Sequence, residues 1–457
     1  MARRAAGLAL LSGMIALAGC TPAAPKAVAV ATISATGADA TPLHDAVSQV
    51  NDVIVYDIFS PPQAARVYAY AGVAAYEVLR QSDTSYHTMA GQLNGLAAVP
   101  AAPQGVSLPV AGVHAYMVVG RALTFSQARM DSLRKAMDTR LASGVPDDVF
   151  ALSIAYGDSV AAHVLAWAGR DGFKQRSGLP KYSVLRDAAR WIPTPPAYMD
   201  AVEPNWGTLR PFVMDTSNQF KPAPPHPFDT TKSSPFYREM KEVYDVGRTL
   251  TEEQRAIAAF WDCNPFVMHV QGHTMFATKK MSPGGHWLGI ARLASHKAKA
   301  DIVRSAEVYA MTSVALADGF LSVWAEKYRS NLIRPETAIN RHIDENWVPL
   351  LQTPPFPEYT SGHSGISSSA ATVLTRLYGD DFAFADSTEL EYGLPVRSFT
   401  SFNAAAAEAS VSRLYGGIHY RRAIEEGQVQ GRKVGELVLA RVVTRGASAP
   451  KAVATSR

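Results

Sequence analysis

Apolar residues recur every three or four positions through most of the chain, which is the spacing of one face of an α-helix. One such face is formed by Val67, Tyr70, Ala71, Ala74 and Val78. Ser60 just ahead of it is a favoured N-cap, and Pro61 suits the first turn of a helix. The pattern therefore predicts a helix that begins at residue 61.

Helical spacing returns in eleven further segments, whereas no run of alternating apolar and polar residues predicts a series of strands. We predict helices near 109–122, 125–143, 147–169, 235–246, 250–262, 266–278, 285–298, 300–329, 364–378, 402–415 and 421–443. Residues 172–234 are rich in proline and tryptophan, and we expect them to form a long irregular excursion packed over the helices. The predicted fold class is all-α, built from packed helical bundles.

The length and the net charge of the chain limit the classes of function that we expect. The chain has 457 residues, of which 47% are hydrophobic and 18% are charged, so it can bury a large core. The formal net charge is +4, and two of those charges, Arg3 and Arg4, belong to the leader segment. So small an excess predicts no nucleic-acid partner, and a cationic site would have to be local.

Residues 1–19 have the features of a signal peptide, with a basic start and a short apolar stretch from Ala5 to Leu17. The ending Leu-Ala-Gly before Cys20 resembles the bacterial lipobox, which implies cleavage there and lipidation of Cys20. Thr21, where some lipoproteins have Asp, favours the outer membrane on its periplasmic or surface face. The alternative is an ordinary secretory signal with a chance cysteine. The membrane contact that we expect is a lipid anchor only.

The remainder of the chain divides by composition. We predict a flexible tether at 20–41, an N-terminal helical region at 42–299, a helical core at 300–445 and a disordered tail at 446–457. Cys263 has no partner within the folded part, so we expect a buried small side chain and no structural disulfide.

A small polar turn follows the proline-stiffened approach at 354–357. Ser361 is a natural N-cap, and the N–H groups of Gly362 and His363 would be exposed at the start of the next helix. Such a helix start can bind an anion, and His363 could exchange protons with it. Taken alone, the same turn would do no more than cap a helix.

Two pairs of basic residues flank this turn. Lys327 and Arg334 stand seven residues apart at the end of a long predicted helix, and Pro335 should end that helix before Arg334. Arg413 and His419 are six apart, so they can share a target only if the intervening Gly-Gly breaks the helix. In isolation each pair could be a solvated helix end or a surface arginine near a core histidine.

Together the three segments supply what a tetrahedral oxyanion requires. Three cations neutralise its charge, while backbone and hydroxyl donors bind its oxygens. Two histidines remain, one to bond the central atom and one to move a proton.

This arrangement resembles the superfamily of type-2 phosphatidic acid phosphatases and vanadium haloperoxidases, whose pattern is K-x6-RP, then PSGH, then SR-x5-H-x3-D. The matching residues, within 327–423, are Lys327, Arg334, Pro335, Ser361, Gly362, His363, Ser412, Arg413 and His419. The resemblance implies a helical bundle of the vanadium chloroperoxidase and acid phosphatase type. It also implies that these residues hold vanadate or phosphate, with His419 on the metal and His363 as the second catalytic histidine.

Two positions depart from the pattern. Thr360 stands where the pattern has Pro, a tolerable change in loop stiffness. Ala423 stands where it has the Asp that should orient the bonding histidine. His419 therefore needs another acceptor, and the candidates are a backbone carbonyl, Glu425 or Glu426.

Vanadate and phosphate share shape and charge, so the anion pocket leaves two activities open. In a haloperoxidase, His419 would coordinate vanadate, and the substrates would be hydrogen peroxide and a halide. In a soluble acid phosphatase, His419 would attack a phosphomonoester to give a phosphohistidine, and His363 would protonate the leaving group. A surface binding lipoprotein is the non-enzyme alternative, but it would not need both histidines.

Two features favour the peroxidase. The run Pro355-Phe356-Pro357 looks like the fungal chloroperoxidase version of the block, which implies that Phe356 belongs to a halide pocket. Beyond the leader, no segment has the 18 or so uninterrupted apolar residues of a membrane span, which argues against an integral lipid phosphatase. Our hypothesis is a vanadium-dependent haloperoxidase-like enzyme.

Four other residues are candidates for the site. His269 and His273 have the i, i+4 spacing of metal ligands on a helix, but no third ligand stands nearby, which favours a structural or pocket-lining role. His286 follows Pro-Gly-Gly and is predicted to lie in a turn at the pocket mouth. Asp262 is a candidate partner that orients Arg413.

Overall fold

The computed structural model describes residues 1–2 and 31–446 of the protein. The helices of this part are α1 (Thr41–Tyr56), α2 (Pro61–Leu79), α3 (Leu108–Leu123), α4 (Gln127–Ala142), α5 (Asp147–Ala168), α6 (Pro235–Arg248), α7 (Glu252–Phe260), α8 (Pro283–Lys297), α9 (Ile302–Ser330), α10 (Pro335–His342), α11 (Gly362–Tyr378), α12 (Phe402–Tyr415) and α13 (Arg421–Arg441). The strands are β1 (Val267–Gln271), β2 (Thr274–Thr278), β3 (Phe384–Asp386) and β4 (Arg397–Phe399). The strands form two antiparallel pairs, β1 with β2 and β3 with β4. The predicted all-α class is confirmed.

Helix α9 is the central element of the fold. It is buried along nearly its whole length, because it packs against α2, α8, α11 and α13. By length and hydropathy, α5 and α9 could each cross a membrane, but 94% of the apolar window of α9 is buried inside the fold. The figure for α5, which packs against α3, is 39%. Helix α9 therefore serves as a core helix, and its last turn carries Lys327.

Close packing of α13 on α11 fixes the start of α11, where the polar turn lies. A Cβ atom on Gly431 would stand 1.9 Å from the carbonyl oxygen of Gly365, which is closer than any real side chain can come. Gly427 and Gly435, one turn away on the same face of α13, would also meet backbone oxygens of this region. The glycines let the two backbones touch, and so they set the position of His363 relative to the loop that precedes α13.

The excursion at 172–234 packs over the helices as predicted. The buried carboxylate of Asp318 in α9 accepts hydrogen bonds from the N–H groups of Phe212, Val213 and Met214 at 2.7–2.9 Å. Earlier in the excursion, the N–H of Val202 donates to the carbonyl of Pro355 at 3.0 Å. The excursion is thereby tied both to the central helix and to the approach to the polar turn.

The predicted helix at 266–278 is wrong. These residues form the β1–β2 hairpin, in which Gln271 pairs with Thr274 around a two-residue turn. Gly272 in this turn has a φ of 58°, a left-handed conformation that glycine adopts without strain. The apolar residues in this segment fit both the helical and the strand period, and Gly272 in the turn favours the hairpin.

Two helices were not predicted, and some boundaries remain outside the structure. Helix α1 begins at the predicted end of the tether, and α10 begins at Pro335, which we had read only as a stop signal. Residues 3–19 of the predicted signal peptide (1–19), the lipidation site Cys20, and most of the tether and tail lie outside the described residues. The division at residue 300 stays a prediction, because α9 packs against helices from both sides of it.

Candidate active site

The turn at Ser361 begins helix α11. The Ser361 side chain accepts a hydrogen bond from the N–H of Ser364 at 3.3 Å, as an N-cap does. Helix geometry leaves the N–H groups of Gly362 and His363 without partners inside α11. A Cβ atom on Gly362 would stand 4.0 Å from Cε of Lys327, so this glycine keeps open the space between the helix start and that cation.

Lys327 lies under the loop that leads to this turn. Its side chain is wholly buried, and Nζ donates to the carbonyl oxygens of Pro357, Glu358 and Thr360 at 2.6–3.1 Å. Burial and then the neighbouring Arg334 lower the pKa of Lys327 well below its ordinary value, although the three carbonyl oxygens favour the charged form. Lys327 therefore fixes the path of the loop as well as supplying charge.

Arg334 connects the loop to His419. As predicted, the helix ends before it: α9 stops at Ser330, and Arg334 is extended ahead of Pro335. Its guanidinium donates to the carbonyls of Phe356 at 2.9 Å and Ile418 at 2.8 Å. Nη2 is buried and has no hydrogen-bond partner among the described residues. Burial lowers the pKa of Arg334 to about 10, so it is charged at neutral pH.

Arg413 comes from the last turn of α12. It is buried, and it donates to Ser412 Oγ at 2.9 Å and to the carbonyl of Trp261 at 2.7 Å. Asp262, the predicted partner, stands next to that carbonyl and accepts no hydrogen bond from Arg413 in the described part of the chain. It acts on Arg413 through charge alone, since its carboxylate raises the pKa of Arg413 against the larger lowering by burial.

His419 lies between α12 and α13, because the chain breaks at Gly416-Gly417 as predicted. Nη1 of Arg334 is 3.2 Å from Nε2 of His419. A guanidinium can only donate hydrogen bonds, so Nε2 accepts and the ring proton is on Nδ1. Burial, and then Arg334 and Lys327, hold the pKa of His419 well below its ordinary value. The ring is therefore neutral and has its lone pair on Nε2.

Glu358 is the acceptor that the sequence did not identify. Nδ1–H of His419 donates to Glu358 Oε1 at 2.7 Å, and the N–H of Tyr420 donates to the same oxygen at 3.0 Å. The candidates Glu425 and Glu426 are wrong: neither accepts a hydrogen bond from His419 within the described residues, and Glu426 accepts one from Ala223. The available signal was an acid among the prolines and small residues just before the polar turn, but it stands 61 residues from His419.

His363 faces the cavity from the first turn of α11. Its Nε2 is buried and makes no hydrogen bond to any described residue. Burial, followed by the charge of Arg413, lowers the pKa of His363 well below its ordinary value. The ring is a neutral imidazole with a nitrogen that is available to a ligand.

These residues meet at a cavity of about 230 Å³. Gly362, His363, Arg413 and His419 line it, and Asp262 and Phe356 are also in its wall. Lys327 and Arg334 lie behind this wall, each with its charged group 5.1 Å from the ring centre of Phe356. The opposite wall is apolar and includes Phe59, Met199, Val202, Phe320 and Trp324. The predicted site residues converge, but two of the three cations act from behind Phe356.

His286 does not lie in a turn at the pocket mouth, as we had expected. It belongs to helix α8, is wholly buried, and stacks on Trp261 with ring centres 4.6 Å apart. Pro283 and the two glycines form the first turn of α8, with Ser282 as N-cap, because proline and small residues suit a helix start as well as a loop. Its contacts are with Cys263, Asp386 and Glu389.

His269 and His273 do not share a helical face, and neither is in the wall of the cavity. His269 lies on strand β1, where it bonds Thr278 Oγ1 at 3.0 Å and stacks on Phe276 of β2. His273 lies in the exposed hairpin turn. Because i, i+4 spacing brings residues together only on a helix, the hairpin removes the geometric basis of the pair.

The site can hold a tetrahedral oxyanion. Arg334 and Arg413 bring positive charge to its wall, and Lys327 adds to it from beneath the loop. Burial raises the pKa of Glu358 to about 8 against the influence of Arg334 and Lys327, so at neutral pH this acid offsets little of that charge. Two neutral imidazoles and a helix N-terminus complete an enclosure that suits an anion with a central atom open to nitrogen.

Comparison with known proteins gives a consistent result. The family model described as VCPO second helical-bundle domain matches residues 307–445. The structure of a bacterial vanadium-dependent iodoperoxidase is similar to this chain at 47% identity, with a TM-score of 0.85, over 89% of this chain and 97% of that one.

A bacterial vanadium-dependent chloroperoxidase is similar in fold. Its holo form is 16% identical with a TM-score of 0.63, over 84% of this chain and 93% of that one. Its apo form is 16% identical with a TM-score of 0.62, over 82% and 93%. No curated protein matches the sequence.

Proposed function

This chain belongs to the vanadium-dependent haloperoxidase family, and we propose that it oxidises iodide with hydrogen peroxide at a vanadate held beside His419. The observation that carries the proposal is the unfilled hydrogen-bonding capacity of two residues close to His419. Nη2 of Arg334 and Nε2 of His363 are buried without partners among the described residues, and both belong to the group around His419. Buried polar atoms in native proteins normally make hydrogen bonds, so these two atoms indicate that a polar ligand binds near them.

The residues present fit vanadate. Lys327, Arg334 and Arg413 match its charge, and the space over Gly362 admits it to the N–H groups at the start of α11. His419 offers a neutral ring with a lone pair on Nε2, which is the form that binds a metal, and a metal bound there would take the place of the 3.2 Å hydrogen bond from Arg334 Nη1. When bound, vanadate supplies the centre at which hydrogen peroxide is activated towards halide.

The protein's own residues orient this centre and move the proton. Glu358 fixes the tautomer of His419 by accepting from Nδ1–H, and this acceptor keeps Nε2 directed away from Glu358. His363 takes up a proton at Nε2 from peroxide entering the cavity, since it is neutral and its Nε2 is not otherwise engaged. The apolar wall formed by Phe59, Phe320 and Trp324 limits water around the reacting groups.

Iodide is the halide that we propose, because the solved structure at 47% identity is that of an iodoperoxidase. Phe356, between the cations and the cavity, is the side chain that we assign to the halide pocket. Lys327 and Arg334, each 5.1 Å from the ring centre of Phe356, bring positive charge to this wall, and that charge favours an anion beside it.

The test is a direct comparison of activities. Purified protein loaded with vanadate should form triiodide from iodide and hydrogen peroxide, and His419→Ala should abolish this while His342→Ala, at an exposed helix end, should not. Bromination of a dimedone-type acceptor measures halide preference. Release of phosphate from p-nitrophenyl phosphate, inhibited by vanadate and without halide oxidation, would establish the acid phosphatase instead.

We further propose that the enzyme is a lipoprotein anchored at Cys20 to the outer membrane. The support is the basic, apolar and Leu-Ala-Gly-Cys order of residues 3–20. Expression in a bacterium fed labelled palmitate should label the wild type and not Cys20→Ser, and the label should fractionate with outer membranes. Labelling that persists in Cys20→Ser would rule out this anchor.

A further inference from the structure

A second cluster of buried functional groups lies next to the anion site and is not used by it. Its members are Cys263 after α7, His286 in α8 and Glu389 before the turn that leads to β4. Each of the three is at most 1% exposed. Their Sγ, ring nitrogen and carboxylate oxygen all lie within 4.8 Å of one another.

We propose that Cys263, His286 and Glu389 bind a divalent transition-metal ion, for which zinc is the best match. The ligand types are those of zinc sites with three protein ligands, in which water completes the coordination. The proposal is independent of vanadate and of the peroxidase activity.

The distances agree with a tetrahedral ion. His286 Nδ1 is 3.3 Å from Cys263 Sγ and 3.1 Å from Glu389 Oε1. With metal–ligand bonds of about 2.0 Å to nitrogen and oxygen and about 2.3 Å to sulfur, neighbouring ligand atoms in a tetrahedral site stand roughly 3.3–3.6 Å apart. These two distances from His286 are therefore close to those of a tetrahedral site, and the third, between Cys263 Sγ and a Glu389 oxygen, is within 4.8 Å.

The imidazole ring of His286 is held in place by a hydrogen bond at its other nitrogen, Nε2. Nε2 of His286 bonds Asp386 Oδ2 at 2.8 Å, and Asp386 is in turn held by the N–H and hydroxyl of Thr388 at 3.0 and 2.7 Å. A carboxylate that accepts from one ring nitrogen leaves the other to ligate, which is the usual support of a metal-binding histidine.

Glu389 provides an independent sign of a missing ligand. Both of its carboxylate oxygens are buried, and neither makes a hydrogen bond to any residue in the described part of the chain. Buried charges normally are paired or coordinate metals. Oε1 of Glu389 lies 3.1 Å from His286 Nδ1, within ion-pair distance, but Oε2 has no partner in the described part of the chain, and a bound cation would satisfy it.

An ion can reach the cluster through the main cavity. Cys263 lines that cavity, while His286 and Glu389 lie behind it, so the thiol is the first ligand that an entering ion meets. Burial raises the pKa of Cys263, and metal binding would therefore displace the thiol proton.

Cobalt(II) titration of the metal-stripped whole chain tests the site. The wild type should bind one Co²⁺ with a thiolate-to-cobalt absorption band in the near ultraviolet, and excess Zn²⁺ should remove the band. Cys263→Ser should lose the band, and Glu389→Gln should bind Co²⁺ at least about 10-fold more weakly. Glu391→Gln, which changes an acid two residues away, should bind like the wild type.

Two results would overturn the proposal. One is no Co²⁺ binding by wild-type protein at millimolar metal, and the other is a band that persists unchanged in Cys263→Ser. Glu389→Gln keeps the test decisive if Cys263→Ser does not fold: unchanged Co²⁺ affinity in this variant would exclude the three-residue site. A rise in the wild-type melting temperature with Zn²⁺ that is absent in Glu389→Gln supports it independently.

Discussion

His419 and His286 are both buried histidines that hydrogen-bond a carboxyl group, at 2.7 and 2.8 Å, yet their pKa values shift in opposite directions. Burial together with Arg334 and Lys327 holds the pKa of His419 well below its ordinary value. Burial also opposes protonation of His286, but Asp386 and Cys263 raise the pKa of His286 well above that value. Both rings are buried, so the neighbouring charges decide whether each imidazole is protonated: Arg334 and Lys327 disfavour the proton on His419, whereas Asp386 and Cys263 favour it on His286.

This difference in protonation suits the two histidines to two kinds of ligand. The neutral His419 among cations leaves a lone pair for the central atom of an anion. His286 among acids and a thiol holds a proton that a metal cation can replace. The two sites share the segment at 261–263: the carbonyl of Trp261 binds Arg413, and Cys263 contacts His286.

The largest effect should come from removing one of the cations around His419. Arg413→Ala and Lys327→Ala should each weaken vanadate binding by at least about 100-fold, since each removes charge-assisted contacts from a buried site. Binding is measured by titration calorimetry, and folding by circular dichroism. Arg190→Ala, at a half-exposed ion pair, is the matched control. Unchanged vanadate affinity in both folded variants would exclude a shared anion site.

Loss of the acceptor of His419 should have the next largest effect. Glu358→Ala leaves Nδ1–H of His419 unpaired, and we expect vanadate affinity to fall about 10- to 100-fold. Glu358→Gln keeps an oxygen acceptor and should lose less. Glu425→Gln, which changes the acid suggested by sequence alone, should bind as the wild type does. An equal loss in Glu425→Gln would contradict the assignment of Glu358.

Disturbing the contact between α11 and α13 should weaken the site at His419 and leave the site at His286 intact. Gly431→Ala places a methyl group against the backbone of Gly365, and we expect a loss of about 2–3 kcal/mol in unfolding free energy together with weaker vanadate binding. Gly284→Ala, whose new methyl group has room at 3.6 Å, is the control. Co²⁺ binding should survive in Gly431→Ala, because α8 carries His286. Full stability in Gly431→Ala would show that the helices are farther apart.

The smallest expected effect is a pH dependence that comes from Glu358. Burial raises its pKa from 4.5 to about 8, so its contribution to stability is present at low pH and is lost as the pH rises towards 8. Between pH 5 and 8.5, the wild type should lose at least about 1 kcal/mol relative to Glu358→Gln in urea unfolding. Parallel curves for the two proteins would show that Glu358 is ionised throughout.

The sequence alone was sufficient for the local features. Helical spacing and N-caps depend on residues three or four apart, so α2, α9 and α11 were predicted, as were the break at Gly416-Gly417 and the order of the three basic motifs. The same local reasoning failed at 266–278, where a glycine turn with positive φ favours a hairpin.

The tertiary structure alone decided which distant groups meet. Glu358 reaches His419 across 61 residues, and His286 reaches Asp386 across 100. Periodicity and capping carry no information at such separations, because a hydrogen bond between distant segments forms only where packing, such as the Gly431 contact of α13 with α11, brings them together. The sequence determined the chemistry available to this protein, and the packing of its helices determined which carboxyl group orients each histidine.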